Sequence, residues 1–287
     1  MRRWLRDWLT ARLTHFLNQP VGYYEQHHPN DLALLRRHIR KGDVLLVEGH
    51  QRVSALIKYL THSSWSHAGL YVGDELVRRG GPLRELAVEH FSDESECLVV
   101  EALTEGVVAS PLSKYVDHNV RICRPHRLRA AHLEQVIDAA VGSIGMRYDL
   151  KNIAELAWYL ARVSLLPVRY RRRALRLGSG LAGQVICTSL LGRIFHDVGF
   201  PVLPSVSQRV APGELGRRRP TLLERFGRRS QASPAVYRRR HPTLLMPRDF
   251  DLSPFFEIVK FNVIGERSFD YQRIEWEEEK PDGEDVA

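Results

Sequence analysis

A cysteine and a histidine are the residues of this chain whose types best fit nucleophilic chemistry. Cys187 opens a run with helical spacing, and His67 stands at the start of the short apolar run 68–72. Only the thiolate of cysteine is strongly nucleophilic, and its free pKa of about 8.5 leaves little of it at neutral pH. A helix N-terminus and an imidazolium both favour that anion. These two side chains are therefore the minimum parts of a cysteine nucleophile site.

A third group must hold the imidazole in its useful tautomer by accepting a hydrogen bond from its other nitrogen. Glu101 is the candidate, because it stands at the polar end of the apolar strand 98–100, which a meander would pair with the His67 strand. Ser66 and Thr188 flank the base and the nucleophile and are candidate substrate or oxyanion residues. The backbone amide of Cys187 is a further oxyanion donor. The alternative is a structural histidine at a strand end that never meets the cysteine.

Elements with clear periodicity or turn signals are expected to position these residues. Strands are predicted at 42–49, 68–72, 97–102, 106–110, 120–124 and 255–263, with 75–78 as a hairpin partner of the His67 strand. Helices are predicted at 1–18, 32–39, 53–60, 130–141, 152–166 and 187–198. Residues 79–96 and most of 202–247 are expected to be loops.

The charge balance is basic and uneven. The chain of 287 residues carries 42 Lys and Arg against 34 Asp and Glu, a net charge of +8. Arginine clusters attract phosphate in nucleic acid or in anionic lipid headgroups. Nucleic acid is the less favoured partner, because the arginines have neither interleaved aromatic residues nor a recognition motif. For any single cluster a solvated basic surface is the simpler explanation. The clusters lie at 2–6, 169–176, 217–219, 228–229 and 238–240.

Residues 1–18 combine tryptophan and arginine in an amphipathic pattern, which fits either a membrane-surface anchor or a helix packed on the domain. No apolar stretch is long enough for a membrane span. Three cysteines at irregular spacing form neither a disulfide framework nor a zinc pattern, and Cys97 and Cys123 fall in strand patterns typical of inert core thiols. We therefore expect a cytoplasmic protein, peripheral on a membrane if residues 1–18 bind lipid, without metal or cofactor.

Five motifs occur in an order that resembles a known family. They are Gly42-Asp43-Val44-Leu45, the stretch 65–73 with sequence WSHAGLYVG, Val100-Glu101-Ala102, Tyr148-Asp149 and the stretch 186–191 with sequence ICTSLL. Together, over roughly residues 41–200, they resemble the YiiX/YebB-like branch of the NlpC/P60 superfamily. These proteins are circularly permuted papain-like thiol hydrolases in which histidine precedes cysteine. The resemblance implies an α+β fold, with an antiparallel sheet or small barrel packed against the nucleophile helix and with helical additions.

The resemblance also implies residue roles. Cys187 is the nucleophile, His67 the general base and Glu101 the residue that orients the imidazole, while Tyr148 lines the site or the oxyanion pocket. Many relatives have Tyr-Cys-Ser-Glu-Leu where this chain reads Ile-Cys-Thr-Ser-Leu at 186–190. This departure removes no catalytic atom but leaves the substrate open.

The expected domain organisation is a helical extension at 1–40, a catalytic domain at 41–265 and an acidic tail at 266–287. Insertions into the catalytic domain are expected at about 150–183 and 202–247. The expected function is a thiol hydrolase acting through an acyl-enzyme, either an amidase or peptidase or a lipid acyl hydrolase or acyltransferase. The alternative is a binding module of the same fold that holds an anionic lipid or another anionic partner.

Overall fold

The computed structural model describes residues 30–103, 106–146, 186–208 and 235–261, together with Arg12, Gln19, Pro20 and Gln26. Helices within these residues are α1 (Leu32–His38), α2 (Arg52–Thr61), α3 (Glu75–Arg79), α4 (Gly81–Phe91), α5 (Ala130–Gly142), α6 (Ile186–Asp197) and α7 (Pro247–Asp251). Strands are β1 (Val44–Glu48), β2 (His67–Gly73), β3 (Leu98–Leu103), β4 (Gly106–Pro111), β5 (Asn119–Pro125), β6 (Ser205–Gln208), β7 (Ala235–Arg238) and β8 (Phe256–Val259). Short 3₁₀ turns occur at Ser92–Glu94, Leu112–Tyr115 and Pro242–Leu244.

One antiparallel sheet organises the described part of the chain. Its strand order is β4-β3-β2-β1-β5-β8, and every neighbouring pair is antiparallel. β6 and β7 pair separately as a short two-stranded ribbon. This combination of an antiparallel sheet with helices confirms the predicted α+β class. Of the two predicted forms, an antiparallel sheet or a small barrel, the structure has the sheet.

Both faces of β2 are buried, which explains why the run 68–72 is continuously apolar. Side chains alternate between the faces of a strand. Ala68, Leu70 and Val72 belong to the larger core cluster, to which α5 and α6 contribute. Tyr71 belongs to a second cluster that includes Leu35 of α1. The strand that begins at His67 is thus held from both sides.

The first described helix packs on the same core as the sheet. Asp31 caps α1 by accepting hydrogen bonds from the amides of Ala33 and Leu34. Leu35 on its inner side is fully buried among residues of β1, β2 and β3. The predicted domain boundary after residue 40 therefore separates α1 from the strands on which this helix packs.

The prediction of a hairpin partner at 75–78 is wrong, since these residues form α3. The chain leaves β2 through Gly73, whose φ of +61° favours glycine. The buried carboxylate of Glu75 then binds Arg78 at 2.7 Å, Arg79 at 3.4 Å and Lys41 at 2.5 Å. Ion pairs three and four residues apart stabilise a helix turn, and the partner of β2 is instead β3.

The prediction of a loop at 79–96 is also wrong, because 81–91 is α4. Pro82 lies in the first turn, where a missing N–H costs nothing. Leu83, Ala87 and Phe91 follow at four-residue spacing and pack on the larger core cluster. The glycines and the proline that suggested a loop mark a helix start instead.

Several predictions fall on residues outside the described ranges. They include the helices at 1–18 and 152–166, the arginine clusters up to residue 229 and the acidic tail. The predicted excursion at 202–247 is described only at its two ends, which carry β6, β7 and a 3₁₀ turn. In the part of the chain that the structure describes, every helix is too short or too polar to cross a membrane.

Candidate active site

His67 is fixed by the segment that leads into its strand. The indole Nε1 of Trp65 donates to Asp251 Oδ2 at 3.1 Å, and Arg121 donates to the other oxygen of the same carboxylate at 2.6 Å. The Arg121 guanidinium also lies 5.0 Å from the centre of the Trp65 ring, a cation–π contact. Elements β5 and α7 therefore hold the backbone two residues before His67.

The strand register brings Glu101 to His67. Gly69 of β2 is directly opposite Glu101 of β3, so His67 and Glu101 are diagonal neighbours on one face of the sheet. Nε2 of His67 donates to Oε2 of Glu101 at 2.5 Å. The carboxylate is almost completely buried, whereas about one fifth of the His67 side chain (20 %) is exposed. The imidazole is thus backed by a buried acid and open on another side.

A lysine that the sequence interpretation missed completes the surroundings of this acid. Lys114 Nζ donates to Oε1 of Glu101 at 2.5 Å and to Ser110 Oγ at 3.3 Å. Burial would raise the pKa of Glu101, but its hydrogen bond and charge interaction with His67, followed by those with Lys114, hold it well below its usual range. Glu101 is therefore a carboxylate with one cation on each oxygen.

Cys187 lies at the second position of α6 and is buried. Burial opposes a charge on His67, but the interactions with Cys187 and then with Glu101 outweigh it and raise the pKa of His67 to about 10. A hydrogen bond between the thiol and the ring is one of these interactions. Since Nε2 faces Glu101, Nδ1 is the ring nitrogen left for the sulfur. The structure thus brings together the three residues predicted to form the catalytic group.

Tyr115 is a second residue that sequence reasoning missed. It follows Lys114 in the turn Leu112–Tyr115 and is buried. Burial first, and then the negative charge of Glu101, raise the pKa of its phenol well above the ordinary value. Neither residue belongs to a motif. Both lie in the turn after β4, the strand next to that of Glu101, and no sequence pattern marks this turn as part of a site.

The other predicted site residues have different surroundings. The hydroxyl of Ser66 accepts a hydrogen bond from the amide of Gly49 at 2.9 Å, and Thr188 donates to the carbonyl of Leu245 at 2.6 Å. Both hydroxyls thus bind backbone, and their proposed roles in substrate or oxyanion binding stay predictions. Tyr148 lies outside the described residues.

The surroundings of the other two cysteines differ from those of Cys187. Cys123 is buried in β5, and burial raises the pKa of its thiol far above the ordinary value. Cys97 precedes β3 and is only partly buried, so it is more exposed than the prediction of a core thiol at this position implies. Within the described ranges no group of three His, Cys, Asp or Glu side chains is arranged to hold a metal ion.

The arrangement has the parts of an acyl-transfer site. Cys187 lies in the first turn of a helix, where backbone amides and the helix dipole favour an anion. The imidazole of His67 is next to it, and Glu101 binds the ring from the other side. This order of groups matches the general logic of nucleophile, base and orienting residue.

A match to a protein-family model supports a hydrolase. The model for permuted papain-like amidases of the YaeF/YiiX type, the C92 family, matches residues 38–159. The matched range contains His67 and Glu101, and Cys187 lies beyond it. The match supports a YiiX-like permuted papain-like family, the one that the sequence predicted. The family supports a hydrolase of the amidase type.

Among solved structures, the chain is similar to metalloprotein yiiX from Escherichia coli O157:H7. The two share 15 % sequence identity, and the alignment covers 77 % of this chain and 97 % of that one with a TM-score of 0.41. No curated protein gives a match.

Proposed function

We propose that this protein is a cysteine amidase that cleaves an amide or peptide bond through an acyl-enzyme on Cys187. His67 acts as general base and acid, and Glu101 orients the imidazole. The proposal rests on one observation: the ring of His67 interacts with the thiol of Cys187 on one side and with the buried carboxylate of Glu101 on the other. The amidase family of the matched segment supports the same class.

In the first step the thiolate sulfur attacks the carbonyl carbon of the substrate and forms a C–S bond. The carbonyl oxygen becomes an oxyanion, for which the backbone amide of Cys187 is an available donor. The tetrahedral intermediate then collapses, the C–N bond breaks, and the imidazolium of His67 gives its proton to the leaving amine. A thioester on Cys187 and a neutral imidazole remain.

In the second step water replaces the amine. The neutral imidazole removes a proton from water as the water oxygen attacks the thioester carbon. Collapse breaks the C–S bond, releases a carboxylic acid and restores the thiolate–imidazolium pair. Glu101 keeps its charge throughout, and its hydrogen bond holds the ring in one orientation during both proton transfers.

An amide substrate is preferred over a lipid ester. The lipid and acyltransferase hypotheses rest on the amphipathic pattern at 1–18 and on arginine clusters, most of which lie outside the described residues. The amide hypothesis rests on the described site and the family of the matched segment. A membrane-bound, lipid-directed enzyme and a non-catalytic binding module are the alternatives that the experiment must separate.

Acyl-enzyme trapping tests the proposal. The protein is incubated with p-nitrophenyl acetate, and with a set of N-acyl p-nitroanilides, and the products are followed by nitrophenol or nitroaniline release and by peptide mass spectrometry. We expect acetylation at Cys187 and turnover of at least one anilide. Cys187→Ala and His67→Ala should both lose turnover, and His67→Ala should acquire little acetyl label.

Cys97 and Cys123 serve as internal controls, because both remain in the Cys187→Ala variant. Full acetylation of that variant would defeat the assignment of the nucleophile. Turnover of esters but not of anilides would favour a lipid-ester substrate over an amide. If the folded wild-type protein forms no acyl-enzyme, the result would favour the non-catalytic binding module. Flotation with anionic vesicles, with and without residues 1–18, then tests a lipid partner.

A further inference from the structure

The buried acid of the site has a second cation that no part of the proposed chemistry uses. Glu101 has one oxygen on His67 and the other on Lys114, and both contacts measure 2.5 Å. A hydrogen bond from an ionised donor to an ionised acceptor is among the stronger polar contacts in proteins. The Lys114 contact is therefore part of the surroundings that define the orientation of the carboxylate.

We propose that Lys114 is a positioning residue for the acid of this site. The inference rests on the proposed function, since it assigns how Glu101 is held while His67 transfers protons. Lys114 acts through Glu101 and has its own anchor, a hydrogen bond to Ser110 Oγ at 3.3 Å. Ser110 lies on β4 opposite Val99, two residues from Glu101 on the neighbouring strand. The ammonium is thus fixed to β4, the edge strand that pairs with the strand of the acid.

The charges of the site alternate in sign. The imidazolium of His67, the carboxylate of Glu101 and the ammonium of Lys114 form a sequence of contacts in which a negative charge lies between two positive ones. Lys114 and the imidazolium are like charges on one carboxylate, so Lys114 opposes the imidazolium while it holds the carboxylate. Lys114 thereby limits how strongly Glu101 retains the proton on His67, which the ring must release to the leaving amine.

The chain offers a closely matched control in Lys41. Its Nζ lies 2.5 Å from Oε1 of Glu75, a carboxylate that is also nearly buried. Lys41 lies beside Gly73, the last residue of β2, whereas His67 is the first residue of that strand. Lys41→Met therefore removes an equivalent ion pair at the opposite end of the strand from the site.

The experiment compares Lys114→Met, Lys114→Arg and Lys41→Met with the wild type. Steady-state hydrolysis of p-nitrophenyl acetate gives kcat and KM as a function of pH, and alkylation of Cys187 by iodoacetamide, mapped by mass spectrometry, gives thiol reactivity without any substrate. We expect Lys114→Met to lower kcat about tenfold, a small part of the roughly 10²–10⁴-fold that general acid–base catalysis contributes. KM should stay within about twofold, since Lys114 makes no contact with substrate in this proposal.

The pH profile separates positioning from a merely structural role. Loss of the ammonium removes a repulsion, so the alkaline transition of the Lys114→Met profile should move to higher pH. Lys114→Arg restores the charge and should return the transition towards that of the wild type, while Lys41→Met should leave it unchanged. A transition that is unmoved or lowered in a folded Lys114→Met protein, or a change in KM alone, overturns the inference. Absence of wild-type turnover and of an acyl-enzyme would instead count against the proposed function.

Discussion

His67 and Glu101 lie on neighbouring antiparallel strands, and the residue directly opposite Glu101 is not His67 but Gly69. The carboxylate reaches diagonally to Nε2 of His67, at 2.5 Å. A side chain at position 69 would lie on the same face as both residues, because side chains alternate along a strand. The missing side chain of Gly69 thus leaves open the part of the sheet face between base and acid.

Gly69→Ala is expected to destabilise the protein and to lower its activity. An added Cβ would lie 2.5 Å from Val99 Cγ1 and 3.3 Å from the carbonyl oxygen of Val100, so β2 and β3 must separate or Val99 must move. Overpacking of this kind costs about 1–3 kcal/mol. Chemical denaturation measures the free energy of unfolding, and p-nitrophenyl acetate hydrolysis measures activity.

The double variant Gly69→Ala/Val99→Ala removes the closest clash and should recover part of the lost activity. Recovery should be incomplete, because alanine in place of Val99 leaves a cavity. Gly142→Ala is the matched control, because a Cβ at the end of α5 would meet nothing within 4 Å. Equal losses for the two alanine substitutions would refute the steric explanation.

Glu101→Gln is expected to lower the rate of acylation by about 100-fold or more, as happens to catalysis when the acid behind a catalytic histidine is replaced by an amide. The amide keeps the shape but loses the charge that helps to raise the pKa of His67. Single-turnover acylation by p-nitrophenyl acetate measures the effect. The control is Glu75→Gln, which removes another nearly buried, ion-paired carboxylate and should leave the rate within about threefold. A Glu101→Gln protein with a normal acylation rate would contradict the role of the acid.

The raised pKa of His67 predicts a more reactive thiol at Cys187. Because the pKa is about 10, the imidazolium persists through the neutral range. Alkylation of Cys187 by iodoacetamide should therefore be faster in the wild type than in His67→Asn throughout the neutral range, because a cation next to the sulfur favours its reactive form. Equal alkylation rates in the two folded proteins would contradict an imidazolium paired with Cys187.

The same pKa predicts a pH dependence of stability. A proton that binds the folded state more tightly than the unfolded state stabilises the fold. For His67 this stabilisation is fully present below about pH 6.5, the ordinary pKa of histidine, and is lost as the pH rises towards 10. The difference in free energy of unfolding between wild type and His67→Asn should shrink over that interval. A difference in the free energy of unfolding that grows with pH would contradict the raised pKa of His67.

Thr188→Val separates a structural role from the predicted role in substrate or oxyanion binding. The Thr188 hydroxyl donates to the Leu245 carbonyl at 2.6 Å in a fully buried position. Loss of that donor should cost about 1–3 kcal/mol of stability. If the hydroxyl is only structural, kcat/KM of the folded variant stays near the wild-type value and Thr188→Ser restores stability. A large loss of kcat/KM without a loss of stability would instead support the oxyanion role.

The sequence predicted most of the sheet because its strands carry their own signals. The apolar run after His67 and the polar residue that ends the run 98–100 both depend on local pattern, and their pairing follows from a simple meander. Helices α3 and α4 were missed for two reasons. Glu75 is stabilised there by Lys41, a residue distant in the chain, and Pro82 marks a helix start as readily as a loop.

The site was predictable only in part for a related reason. His67 and Cys187 each stand at the start of a recognisable element, and Glu101 follows an apolar run, so residue type and position together predicted them. Lys114 is a partly exposed lysine in a short turn, and nothing in such a turn distinguishes it from a solvated residue. Its contact with Glu101 depends on the path of the chain after β4, which no periodicity specifies.

The bonds of α7 and its neighbouring segment have a consequence for biosynthesis. Asp251 holds the indole that precedes His67, and the carbonyl of Leu245 holds the residue after Cys187. Both anchors are translated after the histidine and the cysteine. A nascent chain that ends before residue 245 therefore carries His67 and Cys187 without either anchor, so both residues are fully supported only after residue 251 has been translated.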